Sequence, residues 1–175
     1  MTLMRTLLLV LLWPLALVAQ SPSSQSRTTL EECYAPFYHG VASGDPLKNA
    51  VIIWTRVTPD ELPAGDVTVN WRMALDPDMT TVVKSGSIAT NEGKDFTVKV
   101  DVTGLIPNTW FYYDFETEGQ FSVVGRTRTA PNGGVPNARF AVVSCANYED
   151  GWFNAYRHML DRNDFDAVIH LGDYI

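Results

Sequence analysis

The stretch from Arg139 to Ile175, RFAVVSCANYEDGWFNAYRHMLDRNDFDAVIHLGDYI, constrains the fold of this chain more than any other. An apolar run, Phe140 to Val143, leads into a helix-like segment, and a second apolar run, Ala167 to Leu171, closes on Gly172-Asp173. That order reads strand, helix, strand. Parallel strands need a crossover of about a dozen residues or more, and the positions from Cys145 to Asp166 supply it. Such crossovers are right-handed in nearly all cases, and ligands in open α/β sheets sit beyond the carboxyl ends of the strands. Cys145 and Asp173 both fall at such ends, so a thiol and a carboxylate far apart in sequence are expected to converge.

Within this unit Asp150 is placed to cap the helix, and Trp152 or Phe153 falls at helical spacing from Tyr156 and from Met159 or Leu160. Asn163 and Asp164 stop it. In the last strand Val168 and His170 share one face and Ile169 and Leu171 the other. A strand apolar at nearly every position is expected to be buried on both faces, which makes His170 a hydrogen-bonded core histidine rather than a ligand. Arg157 could reach a phosphate, although a solvated helix charge is the commoner outcome. Two strands and one helix leave most of their apolar surface without a partner. Residues 132–175 are therefore expected to be the start of a truncated α/β domain, or else 137–175 are an unusual appendage.

The sequence ahead of this unit reads differently. Residues 1–20 carry one positive charge, Arg5, before an almost wholly apolar run, Leu7 to Leu17, and an imperfect small-residue site at Leu17-Val18-Ala19. That is the pattern of a secretory signal; the alternative, a membrane anchor, is disfavoured because the run is shorter than the ~20 residues that span a bilayer. No stable span is expected once the leader is removed. Residues 21–36 are a Ser-rich linker and leader. With 46% apolar and 19% charged residues the whole chain has the composition of an ordinary globular protein. The whole chain's formal charge of -7, without a basic stripe, disfavours nucleic-acid binding, although metal cations would let an acidic protein handle phosphate.

From residue 37 to 131 short strands recur at roughly ten-residue spacing. Val51 to Thr55, Val67 to Met73, Val82 to Ile88, Phe96 to Val102, Trp110 to Phe115 and Phe121 to Arg126 carry the signal, with turns at Asn91-Glu92-Gly93 and Glu118-Gly119. In the second, Val67, Val69, Trp71 and Met73 alternate with Thr68, Asn70 and Arg72. A β-sandwich of fibronectin type III or immunoglobulin-like kind is expected. Trp54, Trp71 and Trp110 read as sandwich core rather than as a stacking platform, and Asp45 in Ser43-Gly44-Asp45-Pro46 as a turn residue rather than a cation ligand. The Gly/Pro/Asn-rich Pro131 to Asn137 marks the domain boundary. The overall expectation is a mixed fold, an all-β sandwich followed by the first β-α-β unit of an α/β domain.

Chemistry is expected at the strand ends. A carboxylate preceded by Gly172 can bridge two metal ions about 3.5–4 Å apart, and the Cys145 thiolate is a soft ligand suited to iron or zinc. Alternatively, export would allow Cys33 and Cys145, the two cysteines of the chain, to form a disulfide. Three stretches taken together, FYHGVASGDP with VIIWTRVTP, then FAVVSCANYEDGWFNAYRHM, then FDAVIHLGDYI, closely resemble the PhoD-type alkaline phosphatases and phosphodiesterases of the metallophosphoesterase superfamily. The resemblance spans Phe37 to Ile175. It implies an exported hydrolase of phosphate mono- or diesters, some relatives acting on phospholipids, that uses Fe3+, Ca2+ and a metal-activated water. Carried onto this chain, Cys145 is the implied iron ligand and Asp173 the implied bridging and catalytic aspartate. Asn147, Tyr148 and Tyr174 stand beside them, either supporting the ligands from outside or serving as caps and packing groups. The family's tyrosinate ligand would fall just past Ile175, and exported members commonly carry a twin-arginine signal whereas Arg5 stands alone, which points to a Sec-type route.

The alternative function is a non-catalytic secreted β-sandwich binding module, but no binding motif is visible in the sandwich. With only part of the ligand set in hand, the 175-residue chain is expected to hydrolyse no phosphate ester by itself. Incubation of the purified chain with a chromogenic phosphomonoester and phosphodiester, with iron and calcium added, checks this expectation.

Overall fold

The computed structural model describes residues 34–60, 63, 65–147 and 152–173. The expected signal peptide and Sec-type leader, Cys33, Tyr148, the Asp150 cap and Tyr174 lie outside the described residues. No helix among the described residues is long and apolar enough to cross a membrane.

Alternation of apolar and polar side chains sets the strands of the first domain. Strands β1 (Val41–Leu47), β2 (Ala50–Arg56) and β5 (Thr97–Thr103) form one antiparallel sheet in the order β1-β2-β5. Strands β3 (Val67–Ala74), β4 (Val82–Thr90), β6 (Trp110–Thr117) and β7 (Gln120–Phe121) form the other in the order β4-β3-β6-β7, and β8 (Gly125–Arg128) also pairs with β6. Their inner faces meet in one core, with Val51 and Ile53 of β2 and Val98 and Val102 of β5 against Val69 and Met73 of β3 and Phe111, Tyr113 and Phe115 of β6. Buried threonines satisfy their hydroxyls locally: Thr55 donates to the Gly40 carbonyl at 2.8 Å and Thr129 to the Ile106 carbonyl at 2.7 Å. The sandwich followed by a β-α-β unit is the mixed fold that the sequence implies.

The strand boundaries follow the sequence pattern with three differences. Gly44-Asp45-Pro46 lies inside β1, where the register shifts between Gly44 and Leu47, so Asp45 with its φ of 47° sits at a bulge and not in a turn. Proline has no N–H to donate, so the ladder breaks there. The run Phe121 to Arg126 is split into β7 and β8 because Ser122 turns its hydroxyl to the Phe115 N–H at 3.0 Å. Only Trp71 of the three tryptophans packs against the core. Trp54 alternates with inward Ile53 and Thr55 and so faces outward, and Trp110 is 37% exposed beneath the guanidinium groups of Arg126 at 4.4 Å and Arg128 at 5.3 Å.

The second part is small. Strands β9 (Phe140–Val143) and β10 (Ala167–His170) pair in parallel, Phe140 opposite Ala167 through Val143 opposite His170, joined by helix α1 (Asn154–Arg162). Asn163 ends the helix in the left-handed conformation and donates its N–H to the Met159 carbonyl at 3.0 Å. Phe153, Tyr156 and Met159 are the half-buried helical stripe, whereas Trp152 and Leu160 are exposed. The expectation that the last strand is buried on both faces is not met: Val168, Ile169 and Leu171 are exposed, as are Phe140 and Val142 on β9, where Ala141 is buried. Among the described residues only α1 and the edge of the sandwich flank the pair, too little surface to cover two faces.

What holds this unit to the sandwich is polar. Arg126 of β8 donates to the Asn163 carboxamide, and Arg128 donates to Asp166 at 2.9 Å and to the Asn108 carboxamide at 2.7 Å. Asp166 also accepts the Arg139 N–H at 2.8 Å, so one carboxylate ties β8 to both strands of the parallel pair.

Two outcomes follow. Burial pushes the Tyr113 phenol up to about 12, although a hydrogen bond with Ser43 pulls it down. Between the ordinary tyrosine value near 10 and that raised value the unfolded chain loses a proton that the folded chain keeps. Stability from this group is therefore complete below about pH 10 and falls by about 2–3 kcal/mol as pH rises to 12. Urea titrations across that range are expected to show this slope and to show it flattened in Tyr113→Phe. Separately, Asp166→Ala is expected to raise amide exchange in β9 and β10 by about fivefold, the loss of roughly one exposed charge-assisted pair, while exchange in β2 and β6 is unchanged.

Candidate functional site

The parallel ladder continues past the ends of both strands. Leu171 donates its N–H to the Val143 carbonyl at 2.9 Å, Cys145 to the Gly172 carbonyl at 3.1 Å and Ala146 to the Asp173 carbonyl at 2.6 Å. These rungs run side by side through the two turns that carry the candidate ligands. Cys145 (φ 50°) and Asp173 (φ 52°) are both left-handed, and Gly172, at φ 110°, occupies a conformation that side chains other than glycine rarely adopt. Non-glycine residues held in this region mark segments whose geometry the surroundings impose.

The expected convergence is present: Cys145 Sγ lies 3.9 Å from Asp173 Oδ2. Cys145 is a free, exposed thiol, and Cys33 lies outside the described residues. Bonds of about 2.3 Å from metal to sulfur and about 2.1 Å from metal to oxygen together exceed that separation, so one cation could be reached by both. A soft thiolate beside a hard carboxylate suits a transition metal adjoining a harder cation. No cluster of three or more His, Cys, Asp or Glu donors occurs among the described residues.

The remaining residues singled out from the sequence are distributed as follows. Asn147 stands two positions after Cys145 on the same exposed turn and borders, with Cys145, Phe153, Asn154 and Tyr156, a cavity of about 390 Å³ at the carboxyl end of β9. A slightly larger cavity of about 420 Å³ lies at the opposite, amino end of the pair, beside Phe140, Asp166 and Ala167, away from both candidate ligands. Arg157 pairs with Asp161 at 3.2 Å on the exposed face of α1, the solvated helix charge expected of it. His39 belongs to the sandwich, where its Nε2 lies 2.6 Å from Arg56 Nη1.

His170 is hydrogen-bonded as expected but is exposed rather than core, because Tyr156 of α1 covers its ring only in part. Its Nδ1 accepts the Gly172 N–H at 3.1 Å and its Nε2 lies 2.8 Å from the Tyr156 hydroxyl, so neither ring nitrogen is left for a metal. Tyr156 is the residue that sequence reasoning missed: its helical spacing marks an apolar contact, and nothing local signals that its hydroxyl meets a histidine from the next strand.

Comparisons with known proteins bear on the family of the chain. Residues 21–131 match the PhoD-like phosphatase, N-terminal domain, and residues 140–175 match PhoD-like phosphatase. The chain is 43% identical over 147 residues to alkaline phosphatase D of Bacillus subtilis (strain 168), covering 80% of this chain and 25% of that protein's length. A solved structure titled "Structure of PhoD" superposes with a TM-score of 0.74 at 42% identity, over 80% of this chain and 28% of the other. With its sandwich and its parallel strand ends both matched, the chain belongs to the PhoD-like phosphatase family, whose amino-terminal part it represents.

Proposed function

We propose that this chain forms the amino-terminal sandwich, residues 37–131, and the first β-α-β unit, residues 132–175, of an exported phosphate mono- or diesterase whose metal centre begins with Cys145 and Asp173. The observation that carries this reading is the 3.9 Å approach of the thiol to the carboxylate at the carboxyl ends of two parallel strands, the place where α/β sheets bind their ligands. When bound, ferric and calcium ions would supply Lewis acidity and the positive charge that an acidic chain lacks toward a phosphoryl group.

The residues themselves have distinct tasks. Cys145 offers a thiolate from the turn after β9, and Asp173 offers two carboxylate oxygens from the turn after β10. The Cys145-to-Gly172 and Ala146-to-Asp173 rungs hold these two turns in register, which keeps the donors together without a connecting side chain. Gly172 carries no side chain toward the site, so the backbone can approach closely. A phosphate group of the substrate would enter the cavity beside Cys145, which Asn147 and Asn154 also line. Export follows from the leader pattern of residues 1–20.

The test is iron content and phosphate-ester hydrolysis of the protein as the cell makes it, compared with Cys145→Ala and Asp173→Asn. Loss of a direct ligand is expected to lower iron content beyond the about 10–100-fold typical of removing an outer partner, with hydrolysis falling in parallel. Wild-type iron content and turnover in both variants would sink the ligand assignment.

A further inference from the structure

We infer that His170 and Tyr156 are positioning residues for Asp173, an inference that rests on the reading of Cys145 and Asp173 as metal ligands. The Gly172 carbonyl is engaged by Cys145 on β9, while the Gly172 N–H is turned to His170 Nδ1 at 3.1 Å. The imidazole thus fixes the Leu171–Gly172 peptide and the Cys145 N–H fixes the Gly172–Asp173 peptide that follows it, so Gly172 is held on both sides just before Asp173. Because Nδ1 accepts a hydrogen bond, the ring proton of the neutral imidazole sits on Nε2, where it is donated to the Tyr156 hydroxyl at 2.8 Å.

Tyr156 is in turn fixed by helix α1. Its ring packs on Phe153 with centroids 5.4 Å apart and on the His170 ring with centroids 6.2 Å apart. The chain of contacts runs from α1 through Tyr156 and His170 to the Gly172 peptide and ends at Asp173. The backbone rungs between the two turns fix their register, and the His170 contact adds a side-chain restraint to turns that are exposed and hold left-handed residues. Gly172 is itself exposed, so water can replace His170 as acceptor at little cost in stability. What water cannot replace is direction. With the Leu171–Gly172 peptide free to rotate, Gly172 is held on one side only, the Asp173 carboxylate spends less time at the position that Cys145 shares, and a two-donor site loses affinity accordingly.

The experiment is titration of the purified chain with Co2+ alone, followed by the thiolate-to-cobalt charge-transfer absorption, with Cys145→Ala as the control. His170→Ala is expected to weaken cobalt binding about 10–100-fold with an unchanged urea midpoint. His170→Asn, whose side-chain oxygen can accept the Gly172 N–H in place of Nδ1, is expected to recover most of that loss. Tyr156→Phe, which keeps the ring and removes the hydroxyl, is expected to fall between wild type and His170→Ala, and it decides the matter if His170→Ala does not fold by circular dichroism. Cobalt binding as tight as wild type in His170→Ala, or no recovery in His170→Asn, overturns the positioning role while leaving the metal site standing. Absence of the band in wild type, or its persistence in Cys145→Ala, overturns the ligand reading itself and this inference with it.

Discussion

Burial of the inward row of β6, Phe111, Tyr113 and Phe115, is the interaction on which the rest of the molecule hangs. The three rings are almost wholly removed from water, and Tyr113 meets Phe115 edge-on at 6.2 Å and 87°. Strand β6 pairs with β3 on one side and with β7 and β8 on the other, so the row fixes the register of most of the second sheet. Its grip on β8 is steric as well. Gly125 lies opposite Tyr113, and any Cβ there would run into the Tyr113 ring, 2.7 Å from its hydroxyl oxygen. The tyrosine occupies the space that a side chain on β8 would need.

That placement of β8 determines how the second part of the chain is held. Arg126 and Arg128 emerge from β8 on the face of Trp110 and reach Asn163 and Asp166 at the far side of α1. A second arginine pair works the same way within the sheet. Arg72 on β3 forms a two-pronged pair with Asp114 on β6, whose carboxylate is buried, and the ring of Phe121 on β7 lies 4.9 Å from the guanidinium. The Asp114 hydrogen bond holds the Arg72 guanidinium above its ordinary pKa. A buried carboxylate without such a partner would be strongly destabilising, so the two residues are fixed as a unit. Arginine serves at both places because its planar fork meets two acceptors at once.

The candidate site inherits its character from this arrangement. The sandwich is a closed core, but the β9–β10 pair is fastened by hydrogen bonds and ion pairs at its amino end and, among the described residues, is exposed at its carboxyl end. Open strand ends on a rigid support are where chemistry-bearing turns can adopt conformations that a packed core would not tolerate. Cys145, Gly172 and Asp173, all at positive φ, are such turns. The contact between α1 and His170 adds a side-chain restraint to the backbone rungs that join these turns.

Much of this was legible without coordinates. Period-two alternation in Val67 to Met73 and Phe96 to Val102 determined which side chains face the core, because a strand has only two faces and one of them must exclude water. Two apolar runs separated by a helical stripe determined a parallel pair, and with it the meeting of Cys145 and Asp173, since parallel strands place their carboxyl ends together. The tertiary structure alone decided the rest. Gly-Asp-Pro became a bulge because β2 lay alongside it, Trp110 became an arginine platform because β8 passed over it, and His170 became a surface brace because Tyr156 came within reach of its ring. Each of these is a contact between residues far apart in sequence, and its partner exists only once separate strands and the helix have been brought together. Local pattern assigns a side chain to a face; what stands opposite that face is settled by packing.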